Sequence, residues 1–295
     1  MKISKFDGFR IEIDESNYRA DLVLSRPPLN VVLFSQREVM AKQFHELDKN
    51  DKIRVIVLRA DGKNFSSGGN IAGFLEETPE DLSILAQNVM TPEKIKKPVI
   101  AAIQGYCFGV GFEFSLACDF RIVTKDSQLS LPEMKIGMIP GSGGSARLAK
   151  MIGISRTKNI IMRGKRLSGE EAFKLGIACE LVDTPDLQHM TQKLVKELIT
   201  VSPLAQRTVK SVLNSGCVSI ILSCNGLHVD GGNFFAMVGY FSEIYLCNVS
   251  LARAMTGIVS HKVLSKSNVI TLIIFVFAFI DDVVMFVLFY KYKNT

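Results

Sequence analysis

The sequence has no Cys-x-x-Cys pair. Its six cysteines (Cys107, Cys118, Cys179, Cys217, Cys224, Cys247) and four histidines (His45, His189, His228, His261) lie scattered along the chain. This spacing argues against a metal site and against a disulfide framework, and fits incidental or buried thiols in a reducing compartment. There is no basic run. Lys plus Arg number 35 and Asp plus Glu 29, so the net charge of +6 is mild and dispersed. No nucleic-acid partner is expected, although a small positive excess favours the approach of a phosphate-bearing ligand. The opening MKISKFDGFRIEID lacks an apolar leader, which predicts a cytoplasmic rather than a secreted protein.

Hydrophobic residues make up 47% of the 295 positions, enough for a substantial core in one large domain or one domain with an appendage. FRIEID and ADLVL predict an opening strand pair. Ser35 and Glu38 have capping-box spacing for a helix reaching about Asp48. KIRVIVLRA (52–60), KPVIAAIQG (97–105) and DFRIVT read as buried strands. Helices are expected at about 79–90, across VGFEFSLAC, at 144–152, 155–163 and 168–175, and at 186–199 and 203–214. Ser168 and Glu171 form a second capping-box pair. Strands alternating with helices predict an α/β fold with a largely parallel sheet.

Three loops at strand ends could carry chemistry. Phe65-Ser66-Ser67-Gly68-Gly69-Asn70 follows a buried strand, and its paired glycines let backbone N–H groups approach a ligand. Gly105 to Glu113 leaves a strand and opens a helix, whose first N–H groups have no internal partner and favour negative charge. Leu131-Pro132-Glu133 precedes a Gly/Pro-rich run to Gly144. Singly, each has an ordinary structural reading, and Glu133 alone reads as a surface residue. Together, two N–H donor loops and two carboxylates suit enolate chemistry. The donors stabilise an oxyanion while the carboxylates move protons or hold water.

FSSGGNI resembles the F-C-A-G-A-D-[IL] loop of the enoyl-CoA hydratase/isomerase (crotonase) family. GYCFGVGFEFSLACDFRI, LPEMKIGMIPGSGGSARLAKMIG and GKRLSGEEAFKLGIACELV resemble that family's next three segments, and SPLAQRTVKSVLN its first C-terminal helix. The likeness runs from about residue 8 to 214, in order. It implies a crotonase-like spiral of ββα units with C-terminal helices. It assigns oxyanion-hole N–H groups to Gly69 and Val110, and acid/base roles to Glu113 and Glu133. The first carboxylate would hold or activate water, and the second would exchange a proton with the α-carbon. Arg26, Leu29, Ser67, Gly68 and Gly109 fall at positions expected to line the substrate and CoA channel. The implied activity is hydration of a 2-enoyl-CoA. The alternatives are isomerisation, carnitinyl-CoA dehydratase-like chemistry, or acyl-CoA binding without turnover. The only cofactor implied is the coenzyme A of the substrate itself, with none tightly bound, and no metal. A homotrimer or hexamer is implied if the C-terminal region permits it. The sequence departs from the pattern at Asn70, where Asp is usual, at Val110, where Gly is usual, and at Ala72, where many hydratases carry a basic residue.

The expected organisation is a core at 1–200, the start of a C-terminal helical region at 201–215, and an atypical tail at 216–295. That tail holds five basic and four acidic residues. Residues 269–290 are long enough for a membrane span. Their apolar residues contribute about −5 to −9 kcal/mol on an insertion scale, and Asp281 and Asp282 cost about +5 to +7. The balance leaves open a membrane-associated segment, a buried or interfacial helix pair, and an unfolded extension. Two rival motifs fail. Gly141-Ser142-Gly143 with Ala146 fits a dinucleotide fingerprint in letters but follows no strand. Ser142 and Ser145 lack the framing of a hydrolase nucleophile.

Overall fold

The computed structural model describes the backbone of residues 1–71, 73, 79–215, 259–264, 270–278 and 283–291. Contacts divide the chain into a unit at Met1–Ile220 and another at Ile221–Thr295.

In the first unit the strands are β1 (Lys2–Phe6), β2 (Phe9–Asp14), β3 (Arg19–Leu24), β4 (Val55–Ala60), β5 (Val99–Ile103), β6 (Tyr106–Phe108), β7 (Phe120–Thr124), β8 (Gln128–Ser130), β9 (Arg166–Ser168) and β10 (Glu180–Val182). The helices are α1 (Phe34–Lys49), α2 (Pro79–Val89), α3 (Thr91–Lys94), α4 (Val110–Ala117), α5 (Gly144–Ile152), α6 (Ile154–Ile161), α7 (Gly169–Lys174), α8 (Leu187–Thr200) and α9 (Pro203–Ser215). A seven-stranded sheet runs β1-β2-β3-β4-β5-β7-β10. It is antiparallel through β3 and parallel from β3 onward. A smaller sheet, β6-β8-β9, lies beside it in the order of pairing.

The apolar runs of β4, β5 and β7 are buried on both faces, as a covered parallel sheet requires. Ile56 and Leu58 of β4 join the core that holds Met40 and Phe44 of α1. Val55 and Val57, on the opposite face, pack with Leu187 and Val195 of α8. The predicted α/β class and the three buried strands are therefore present. Ser168 accepts from the Glu171 N–H while Glu171 accepts from the Ser168 N–H, completing that capping box. The Ser35/Glu38 box does not form. The helix begins two residues earlier, capped at Leu33, and the Gln36 side chain takes the Leu33 N–H at 3.1 Å instead. Glu38 pairs with Lys42 one turn on.

α9 packs against the core. Lys210 is 9% exposed. Its ammonium donates to the carbonyls of Pro92 (2.7 Å) and Lys97 (2.9 Å) and to Asp119 Oδ2 (2.7 Å). These contacts tie 203–215 to 92–119.

The second unit contains β11 (Val259–Leu264), β12 (Ile270–Ala278) and β13 (Val283–Lys291), an antiparallel sheet in that order. The candidate segment 269–290 is therefore mostly a strand pair rather than a helix pair. Among the described residues no helix is long and apolar enough to cross a membrane.

Candidate active site

The three loops predicted to carry chemistry converge. The loop after β4 is stitched to its neighbours through its backbone. Ser66 N–H donates to Tyr106 C=O at 2.8 Å, and Phe108 N–H returns to Ser66 C=O at 2.9 Å. Ser67 N–H donates to Leu29 C=O at 2.8 Å, and Val32 N–H to Gly68 C=O at 2.9 Å. Val32 pairs with Gly69 in a parallel bridge, so the Gly69 N–H turns away from Val32, because successive strand N–H groups alternate in direction. Val110 opens α4, and its N–H has no acceptor within the helix.

Glycine is needed at two positions here. Gly68 has φ +115° and Gly109 has φ +51°, conformations that side chains rarely adopt. A Cβ on Gly68 would lie 3.3 Å from Phe108 O, and one on Gly109 would lie 3.7 Å from Gly68 Cα. The two donor loops therefore touch. The Gly69 and Val110 backbones are brought close as well, a Cβ on Gly69 lying 3.6 Å from Val110 Cγ1.

The carboxylates face the same place in different surroundings. Glu113, in the first turn of α4, is 3% exposed. Its Oε1 accepts from Ser142 N–H (2.8 Å) and Gly144 N–H (3.0 Å). Burial pushes its pKa up, opposed by those two amides and by Arg37 and Arg147. The run to Gly144, read from sequence only as turn-forming, is thus the cradle of Glu113. Glu133 follows Pro132 in a short 3-10 turn (Glu133–Ile136). Its Oε1 would lie 3.3 Å from a Cβ on Gly109, and its buried Oε2 has no hydrogen-bond partner. Burial first, and the charge of Glu113 after it, push Glu133 up to about 7. Half-protonated near neutrality, it can give or take a proton at little cost, as a general acid/base needs.

The other expected positions are less uniform. Leu29 is exposed and joined to Ser67 at the rim. Arg26 stands apart from the carboxylates. Its guanidinium pairs with Asp7 at 2.6 Å and reaches Val31 C=O at 3.4 Å. Ala72 lies outside the described residues. Among the described residues no group of three His, Cys, Asp or Glu could hold a metal ion.

Sequence reading missed Arg37. It lies on the inner face of α1 with Met40, Ala41 and Phe44 and is 3% exposed. Its Nη2 would lie 2.8 Å from a Cβ on Gly69. The signal was available: Arg37, Met40, Ala41 and Phe44 follow the i, i+3, i+4, i+7 pattern of one helix face.

The touching Gly68 and Gly109 loops, the carboxylate of Glu113 held by two amides, and Glu133 beside Gly109 form the candidate site. The chain belongs to the enoyl-CoA hydratase/isomerase family, whose model matches residues 17–236. It is an enzyme of the crotonase class. It is 32% identical to a carnitinyl-CoA dehydratase of Salmonella typhi over 196 residues, 65% of this chain and 75% of that protein. Enoyl-CoA hydratase subunit I of Geobacillus kaustophilus superposes with a TM-score of 0.69 at 28% identity, covering 85% of this chain and 93% of that one. A Thermobifida fusca protein assigned as an enoyl-CoA hydratase, solved with acetoacetyl-CoA, shares the fold with a TM-score of 0.68 at 22% identity, over 80% of this chain and 95% of that one.

Proposed function

We propose that the chain is a hydratase-type lyase that adds water reversibly to a 2-enoyl-CoA thioester. The thioester oxygen lies between the N–H groups of Gly69 and Val110. A water beside Glu113 adds to C3 and gives its proton to that carboxylate. Electrons move through C2 onto the thioester oxygen, where the two N–H groups hold the enolate. The enolate then collapses, and C2 takes a proton from Glu133. Proton exchange with solvent restores both carboxyl groups. Coenzyme A enters as part of the substrate, and no other cofactor takes part.

The observation that carries this reading is the unequal carboxyl pair at touching donor loops. Glu113 is held by two amides, and Glu133 has a buried Oε2 without a hydrogen-bond partner and a pKa pushed up to about 7. A dehydratase acting on a 3-hydroxyacyl-CoA is the same chemistry run backwards, and the likeness to carnitinyl-CoA dehydratases favours keeping that direction in view.

The pH dependence of both directions tests the reading. Hydration needs Glu133 protonated, so kcat/KM for crotonyl-CoA should fall as pH rises through about 7. Dehydration of 3-hydroxybutyryl-CoA starts from the same singly protonated pair with the proton on Glu113, and because the reaction consumes no net proton its kcat/KM should fall over the same range in the same direction. Flat profiles between about pH 6 and 8, or turnover of neither thioester, would contradict it.

A further inference from the structure

Arg37 has no role in the proton transfers above. Its guanidinium is buried, and its Nε has no hydrogen-bond partner. Among the described residues no hydrogen bond or ion pair links it to a carboxylate. The nearby charge that acts on it is that of Glu113, and burial holds its pKa down to about 10, so it remains a cation at neutral pH. One face of the group rests on the Phe34 ring, 4.8 Å from its centroid. A buried, unpaired cation is costly, and a negatively charged group that binds beside it would offset that cost.

The position says what that partner is. Arg37 Nη2 would lie 2.8 Å from a Cβ on Gly69, while Val110 Cγ1 would lie 3.6 Å from the same point. Gly69 does not have positive φ. Glycine there is explained by room for the guanidinium rather than by backbone conformation. The cation thus borders both oxyanion-hole residues, where the acyl group of a bound thioester must run. An acyl group that brings its own carboxylate would give the guanidinium the charge-assisted hydrogen bonds it lacks. A cationic acyl group would be repelled.

We infer that Arg37 is a specificity residue that selects CoA thioesters whose acyl group carries a carboxylate. This rests on the acyl-CoA reading of the site but not on the direction or success of turnover. It also sets the chain apart from enzymes of carnitinyl-CoA, whose acyl group bears a quaternary ammonium.

Calorimetric titration with two thioesters of equal chain length tests it. Succinyl-CoA should bind the wild-type chain at least about tenfold more tightly than butyryl-CoA. In Arg37→Met, checked for folding by circular dichroism, that ratio should collapse toward one, and Arg37→Lys should keep part of it. The wild-type ratio requires no variant to fold. Equal affinities in the wild type, or a preference that persists in Arg37→Met, would overturn the inference. Because neither ligand has a double bond to hydrate or a hydroxyl to lose, failure here is distinct from failure of the hydratase reading, which turnover reports.

Discussion

Replacing Glu133 with Gln should lower kcat/KM for crotonyl-CoA hydration by about 10²–10⁴-fold, the usual contribution of one acid/base group. Gln keeps the size of the side chain and its place beside Gly109, but it cannot release or take up a proton. The loss should appear in kcat, because the proton moves only in the transition state. Glu113→Gln should cost a similar factor for a different reason. An amide cannot take the proton of the attacking water. Its Oε1 could still accept from Ser142 N–H and Gly144 N–H, so the cradle and the fold should survive. The two losses should not multiply in the double variant, because removal of either group already blocks the same step. Steady-state kinetics of the three variants checks this. Hydration within about threefold of wild type in either single variant would remove that residue from the mechanism.

The second large effect concerns stability. Lys210→Met should destabilise the first unit by about 3–5 kcal/mol, the cost of breaking a buried ion pair from one side. The methionine keeps the packing but leaves the largely buried Asp119 carboxylate with the Val99 N–H at 2.8 Å as its remaining donor among the described residues, and strips the Pro92 and Lys97 carbonyls of their Lys210 donor. Burial already pushes the Asp119 pKa up, and Lys210 is the main force opposing it. The deficit should therefore shrink at acid pH, where Asp119 is neutral in the variant. Urea denaturation at neutral and acid pH checks both the size and the sign. The effect also bears on catalysis. Asn214 donates to Glu93 C=O at 2.9 Å, Glu93 pairs with Arg147 at 2.8 Å, and Arg147 donates to Ser142 C=O at 2.8 Å. Ser142 is one of the two residues that hold Glu113. α9 thus braces Glu113 through a chain of polar contacts.

Much of this was legible in the sequence because it depends on pattern. The strands β4, β5 and β7 are unbroken apolar runs, and the helices from α5 to α9 carry clear periodicity. What was missed depends on contact. β6, β8 and β9 are three residues each, too short for a period to register, yet β6 and β8 position the loops that bring Gly109 and Glu133 together. The exposed β1 has no apolar alternation to reveal it. Ser35 and Glu38 had the right letters for a cap, but the Gln36 side chain reached the Leu33 N–H first. At the site, the resemblance pointed to Glu113 and Glu133, and the geometry adds why they differ: one carboxylate is held by two amides and the other by none. The cradle at Ser142 and Gly144 could not be read from spacing, since it depends on tertiary approach. Arg37 could have been found, because a charged residue on the apolar face of a helix stands out once the face is drawn.

The most direct test of the acid/base assignment is solvent exchange at the α-carbon. Butyryl-CoA incubated with the enzyme in deuterated water has no double bond to hydrate and no hydroxyl to lose, so only enolate formation can exchange its α-proton. The wild-type chain should introduce deuterium at that carbon, detected by NMR, and Glu133→Gln should not. Equal exchange by both proteins, or none by the wild type, would contradict the assignment of Glu133 as the group that moves the α-proton.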